Sequence, residues 1–418
     1  MTGRSPRATR GAIPDASSTD DERRPPRQWR QPQGADIPRL VSLTVAAVLL
    51  TAGCTAIGAP APPASTLAAG SGAVAPTPTA TPANTPSQSA SPAAVDPAPI
   101  CANRAAPSWV QEARHPKDGV RDPAGRIYFS QFHRNTDVLG QVVARLFAID
   151  PDGSDLVQLI DCELQRPRVS PDGTRLALSL VMDDGWWQVA TMNVDGTDLR
   201  ILTSMPGFAE TPDWSPDGSW LIYSHAAQTC VSSVWETCIV DEGNRYSLWR
   251  MNADGTDQRR IGDSGNVDWE PRLSPDGTKV VFSRFFFPGP MKLVVRDLVT
   301  GDERESSRTD LDLEHPDWSP DGRWIIYNPT CAPGTLPCEQ IERVPADDLD
   351  ATPVVLYPAD ETHAGIKPAY KPDGSRIVFG CKGPMCLMDS DGSHVAPLVD
   401  VPGTELNHFD WGPTPSGG

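Results

Sequence analysis

Positive charge is scarce in this chain of 418 residues: 36 Lys and Arg face 54 Asp and Glu, for a formal net charge of −18. The first 39 residues hold eight Arg against five acidic side chains, so about −21 falls on the rest. A body that acidic repels phosphate backbones and anionic headgroups, which argues against direct binding of nucleic acid or anionic lipid. Paired cysteines two residues apart are absent, so structural zinc has no signature here. No Gly-x-Ser-x-Gly occurs, and with it goes the nucleophile turn of a serine hydrolase. Between residues 55 and 100 large apolar side chains are nearly missing, replaced by Ala, Pro, Thr, Ser and Gly. Such a segment cannot offset its ordering entropy, and an extended tether is expected over 54–100.

What the chain does have is a repeat. Asp213-Trp214-Ser215-Pro216-Asp217-Gly218 reads as a strand end and a tight turn, and the apolar run Trp220 to Tyr223 starts the next strand. Copies of the turn stand at Ser170 to Gly173, Ser274 to Gly277, Ser319 to Gly322 and Lys371 to Gly374, with a worn copy at Asp122 to Gly125. Successive prolines from Pro123 to Pro372 lie 48, 45, 59, 45 and 52 residues apart. Each copy is followed by a second turn built on Asp-Gly, as at Asp152-Gly153, Asp195-Gly196, Asp254-Gly255 and Asp391-Gly392, or by a variant at Gly301 and at Asp347-Asp348. Six of each, with only strand and turn signals between, predict an all-β, six-bladed β-propeller over residues 121–412. The segment Asn407 to Pro413 resembles Pro212 to Pro216 without its turn, so it is expected to complete blade 1 and close the ring. Residues 101–120 form a lead-in and 413–418 a loose tail.

The N-terminus reads differently. A basic lead, the uncharged apolar run Leu40 to Ala52, and then Gly53-Cys54 resemble a bacterial lipoprotein signal peptide over 1–53, which implies lipidation at Cys54. Leu40 to Ala59 is also 20 uncharged residues, long enough for an uncleaved anchor. Either way the rest of the chain is expected outside the cytoplasm, meeting the membrane only through its anchor.

With strands A to D running from the axis outward, antiparallel connectivity puts both turn types on one face. The B–C and D–A loops then lie on the other. Cys230/Cys238, Cys331/Cys338 and Cys381/Cys386 fall in B–C loops and are expected to form local disulfides in an oxidising compartment. Cys101 and Cys162 remain and are expected to pair with each other.

The Ser/Lys-Pro-Asp-Gly repeats, covering about 290 residues, resemble the propeller of the TolB family and its relatives. That resemblance implies an extracytoplasmic, non-enzymatic scaffold binding envelope proteins or peptides. The repeated turn aspartates, Asp172, Asp217, Asp276, Asp321 and Asp373, are turn residues rather than catalytic ones, since every blade needs one. The residues just before the strand A proline, or its equivalent, differ between blades: Arg166, Thr211, Glu270, His315, Lys367 and His408, with Glu210, Glu314 and Asn407 one place earlier. On the innermost strands these line the channel mouth and are the candidate ligand- or partner-binding ring. Alternatively they pair among themselves, or His315 and His408 hold a metal in a lyase or other saccharide-acting enzyme. Phe285-Phe286-Phe287 is a candidate wedge for a partner. No cofactor, no catalytic residue and a monomer are expected.

Overall fold

The computed structural model describes residues 125–134, 142–160, 162–182, 186–227, 245–262, 264–286, 289–330, 339–360, 365–399 and 405–413. The signal segment, Cys54, the tether, the whole lead-in with Cys101, and Cys230, Cys238, Cys331, Cys338 and Phe287 lie outside them.

Blade 1 begins with β1 (Ile127–Arg134), β2 (Val142–Ile149) and β3 (Val157–Ile160). Blade 2 is β4 (Leu164–Val169), β5 (Arg175–Val181), β6 (Trp187–Asn193) and β7 (Arg200–Ile201). Blade 3 is β8 (Phe208–Trp214), β9 (Trp220–Ala226), β10 (Ser247–Asn252) and β11 (Arg259–Arg260). Blade 4 is β12 (Val267–Leu273), β13 (Lys279–Phe285), β14 (Met291–Asp297) and β15 (Glu303–Glu305). Blade 5 is β16 (Asp312–Trp318), β17 (Trp324–Thr330), β18 (Ile341–Pro345) and β19 (Val354–Tyr357). Blade 6 is β20 (Gly365–Tyr370), β21 (Arg376–Cys381), β22 (Met385–Asp389) and β23 (Ala396–Val399). The last strand, β24 (Glu405–Trp411), returns to blade 1 and pairs antiparallel with β1, Ile127 opposite Trp411. Blade 1 is thus made of the two ends of the propeller, and β24 packs against β20 on one side and β4 on the other. The ring is closed as the sequence predicts.

Each first turn is held by its own residues. Asp217 Oδ1 accepts from Ser215 Oγ at 2.6 Å and from Ser219 N at 3.0 Å, while Gly218 takes φ 69°. These bonds, Ser215 first, hold the Asp217 carboxyl down at about 2. Both faces of the second strands are covered: Leu221, Ile222 and Tyr223 are buried, as are Ile325, Ile326 and Tyr327. The core is therefore a set of clusters between neighbouring blades, such as Ile222, Leu248, Val280 and Phe282 between blades 3 and 4.

The inner strands depart from the simple expectation that the ring residues open each strand. Arg166, Thr211, Glu270, His315, Lys367 and His408 sit mid-strand, where the register with the second strand slips. All six have φ between 50° and 57°. Five precede proline, which disfavours right-handed helical backbone, and a bulge here turns each side chain into the channel. Three of the bulged amides are capped from the preceding blade: Arg166 N donates to Ser130 Oγ (3.2 Å), Thr211 N to Ser179 Oγ (3.1 Å) and Lys367 N to Asn328 Oδ1 (3.0 Å).

Candidate functional site

Two tiers of side chains fill the channel. The inner tier takes one residue per blade, in ring order Arg168, Asp213, Arg272, Asp317, Ala369 and Asp410. Acids thus stand on blades 3, 5 and 1 only. Each accepts a backbone N–H from the next blade: Asp213 from Leu273 (2.7 Å), Asp317 from Tyr370 (3.1 Å) and Asp410 from Val169 (2.6 Å). The Arg168 guanidinium reaches all three, at 2.9 Å from Asp213, 2.9 Å from Asp410 and 3.5 Å from Asp317. A group bonded to three alternate blades lies on the ring axis. Arg168 therefore forms a floor, and the channel above it is a cup. Burial works against the Arg168 charge, but Asp410, Asp213 and Asp317 outweigh it and keep the guanidinium protonated. Burial raises the Asp317 and Asp410 carboxyls.

Above the floor, the structure joins Arg166, Glu210, Glu270, Glu314 and His315 of the proposed mouth into one network. Arg166 Nη1 donates to Glu270 Oε1 at 2.5 Å, Arg166 Nε lies 3.5 Å from Glu210, and the guanidinium stacks on Trp269 at 4.5 Å. Arg166 spans from blade 2 to blade 4 over the short Thr211, whose Oγ1 has no protein partner. Tyr246 OH donates to Glu210 at 2.6 Å, while burial raises the Glu210 carboxyl. His315 Nδ1 bonds Glu270 Oε2, and its Nε2 lies 3.5 Å from Glu314. Burial alone would raise Glu270, but His315 and Arg166 overcome it and keep the carboxylate ionised. Burial pushes His315 down to about 4. At neutral pH His315 therefore donates from Nδ1 to Glu270 and turns an unprotonated Nε2 toward Glu314. Glu314 is itself pushed up to about 7 by burial, with Glu270 and Asp312 adding to it. The result is a row of carboxyl, imidazole and carboxylate backed by a guanidinium.

Lys367 and His408 form a pair: Lys367 Nζ lies 3.4 Å from His408 Nε2, and His408 packs edge-on against Phe132 at 5.5 Å. The rings of His315 and His408 stand edge to face, 6.5 Å apart. Among the described residues, no group of three or more His, Cys, Asp or Glu side chains is arranged to hold a metal ion. Asn407, also in the mouth, caps the His408 amide at 3.0 Å.

Sequence reasoning missed the floor, Trp269, Tyr246 and Asn328. The floor did leave a signal, because Asp-Trp in the copies at 213, 317 and 410 alternates with Arg-Val and Arg-Leu at 168 and 272. Of the aromatic run, Phe285 packs beside Ala226, Tyr246 and Val267, and Phe286 lies half-buried under Lys292 at 5.1 Å. Cys381 and Cys386 form a disulfide with Cα atoms 5.8 Å apart, buried on the last residue of β21 and the second of β22 rather than in an exposed loop. Cys162 is buried and disulfide-bonded to a cysteine outside the described residues. A cleft of about 750 Å³ opens on the opposite, turn-bearing face between blades 4 and 5, lined by Pro275, Trp318, Pro320 and Trp324 among others.

With this geometry in hand, comparison with known proteins is informative. Residues 146–332 match the family described as the TolB beta propeller domain. An uncharacterized protein of Agrobacterium fabrum is 32% identical over 168 residues, covering 38% of this chain and 52% of that protein. A TolB homolog of Chlorobium luteolum is 31% identical over 156 residues, 37% of this chain and 31% of the relative. The chain thus spans about half the length, or less, of these curated relatives. The crystal structure of TolB from Acinetobacter baumannii superposes with a TM-score of 0.55 at 16% identity, covering 69% of this chain and 67% of that one, a likeness of fold. The class is that of the closed six-bladed propellers. Within it, the propeller is similar to the TolB beta propeller domain that residues 146–332 match.

Proposed function

We propose that this propeller is a non-enzymatic scaffold at the bacterial cell envelope, held outside the cytoplasm by an N-terminal lipid on Cys54, that docks a protein or peptide in its channel mouth. One observation carries this reading. Six equivalent bulged positions share one backbone geometry, yet they bear six side chains of five chemistries, gathered above the Arg168 floor. Scaffold needs would make these positions alike, as they do the turns. A cup of fixed, mixed charge suits recognition of a polar segment entering from one face. The TolB-like repeats support the envelope setting.

Crosslinking in intact cells followed by capture tests the reading. Wild type should retain neighbours that Glu314→Lys and Lys367→Glu lose while both variants remain folded. An identical set of neighbours with both variants removes the mouth from the proposal. Cys54→Ser should move the protein from the membrane to the soluble fraction, and continued membrane retention would instead favour the uncleaved anchor.

A second reading, a metal-dependent lyase or other saccharide-acting enzyme, draws on the Glu314–His315–Glu270 chain. A stoichiometric transition metal in the purified protein, lost in His315→Ala, would replace the scaffold by that enzyme.

A further inference from the structure

We propose that Glu314 Oε2 and His315 Nε2 form a subsite in the wall of the mouth for a cationic N–H donor, an ammonium or a guanidinium presented by the docked partner; this rests on the binding reading above. The two atoms lie 3.5 Å apart on neighbouring residues of β16, on side chains 23% and 13% exposed, so solvent reaches both side chains. On the other side of the imidazole, Glu270 takes Arg166 Nη1 on Oε1 and His315 Nδ1 on Oε2. The proton of the neutral ring is therefore on Nδ1, and Nε2 is an acceptor. It faces the carboxyl of Glu314, which has acceptors only once it is ionised. The Thr330 hydroxyl of β17 also bonds Glu314, but a hydroxyl has a single hydrogen to give. Two acceptors in contact need a donor between them. At low pH the proton of Glu314 is that donor, and at higher pH one from outside can take its place.

The surrounding charge selects a cation. Burial pushes the Glu314 carboxyl up to about 7, and Glu270 of β12 and Asp312 of β16 add to that more than the ammonium of Lys367 on β20 takes away. On the remaining strands packed against β16, Arg284 of β13 is held by Asp268 and Glu303, and Lys292 of β14 lies over Phe286. The potential at Glu314 is thus negative. An anion would meet two acceptors, and an apolar group would strip water from an ionised carboxylate without replacing it. An ammonium can give one N–H to each acceptor, with a charge-assisted bond to Glu314. Its arrival expels the Glu314 proton to solvent. His315, pushed down to about 4 by burial, stays neutral over the range in which Glu314 titrates.

Titration calorimetry of the full chain with short peptide amides, identical except for a central lysine, arginine, norleucine or glutamine, tests this. A cationic peptide should bind saturably at pH 8 and about tenfold more weakly at pH 6, where Glu314 is mostly protonated. Near pH 6 about one proton should leave per peptide bound, read from the dependence of the heat on the buffer, and almost none at pH 8. No saturable heat with either cationic peptide at pH 8 overturns the subsite, as does equal binding of the norleucine or glutamine peptide. A flat affinity from pH 6 to 8 does the same, and none of these outcomes needs a variant. Glu314→Gln should weaken cationic peptides at least about tenfold at pH 8 and abolish proton release; unchanged affinity again overturns it. In ¹⁵N-histidine-labelled protein at pH 8, with His315→Gln assigning the signal, His315 Nε2 should resonate as an unprotonated ring nitrogen. A doubly protonated ring would satisfy Glu314 from within and sink the proposal. Cellular neighbours that Glu314→Gln still captures, although cationic peptides are lost, overturn the role of the subsite in docking and leave the docking reading standing.

Discussion

Glu314 and His315, adjacent in sequence, respond to pH in opposite directions. Glu314 rises from an ordinary value near 4.5 to about 7, so the folded state binds more protons than the unfolded one across that interval. Its contribution to stability is complete below 4.5 and is lost as pH climbs to 7. His315 falls from 6.5 to about 4, so its stability is present above 6.5 and lost as pH drops toward 4. Between 4.5 and 6.5 the two slopes oppose each other, and above 6.5 only that of Glu314 continues. Glu314→Gln removes one slope. The melting temperature of the variant should gain on the parent from pH 4.5 to 7 and hold its lead above that. A difference that stays flat across this range would show that Glu314 does not titrate high. No sequence pattern announces this pair, because both shifts come from burial on a strand whose sequence looks like five others.

The recurrent element is the bulged inner strand. A non-glycine residue at positive φ costs about 1 kcal/mol or more, so six such residues need support from outside the strand. Part of that support is the capping side chain on the second strand of the preceding blade. Ser179 Oγ accepts from Thr211 N, whereas Ser224, at the matching position one blade on, has an Oγ without a protein partner. Both are fully buried. Ser179→Ala should therefore lose about 1 kcal/mol, while Ser224→Ala should be neutral or slightly stabilising. Urea denaturation of the two variants side by side decides this, and equal losses would show that the cap carries no energy. The prolines marked these strands in the sequence, but the bulge itself was not legible. Pre-proline backbone is restricted in any context, and only pairing with the second strand makes the restriction a register slip.

At the scale of the whole molecule, the ring depends on the β24–β1 clasp and on Arg168. Removing residues 405–418 should expose the edge of β1 and the face of blade 6 on which β24 packs, and convert a single cooperative transition into aggregation or broad melting. Calorimetry of the truncated chain tests this, and a sharp, unshifted transition would mean that the clasp is dispensable. Arg168→Met leaves three buried acids without their common cation, a change that costs about 3–5 kcal/mol when a buried charge loses its partner. Because burial already raises Asp317 and Asp410, protonation relieves that repulsion, and the deficit should shrink toward pH 4. An equal deficit at pH 4 and pH 7 would point to lost packing instead. Acids on alternate blades make the six blades three pairs, each odd blade bonded through its aspartate to the next. Trp214 and Trp318 complete the pattern, each donating back to the carbonyl of the arginine in the blade before, at 3.0 Å.

Local chemistry written into the chain was enough to determine the blades, their number and the closing strand. A Pro-Asp-Gly turn forms from its own four residues, and its spacing counts strands without reference to anything distant. Tertiary structure decided which channel side chains meet. Arg166 lies 104 residues from the carboxylate that holds it, and Arg168 lies 242 residues from Asp410. Those separations vanish only when the ring closes, and with them come the burial and the neighbouring charges that turn ordinary glutamates, histidines and arginines into a floor and the network above it.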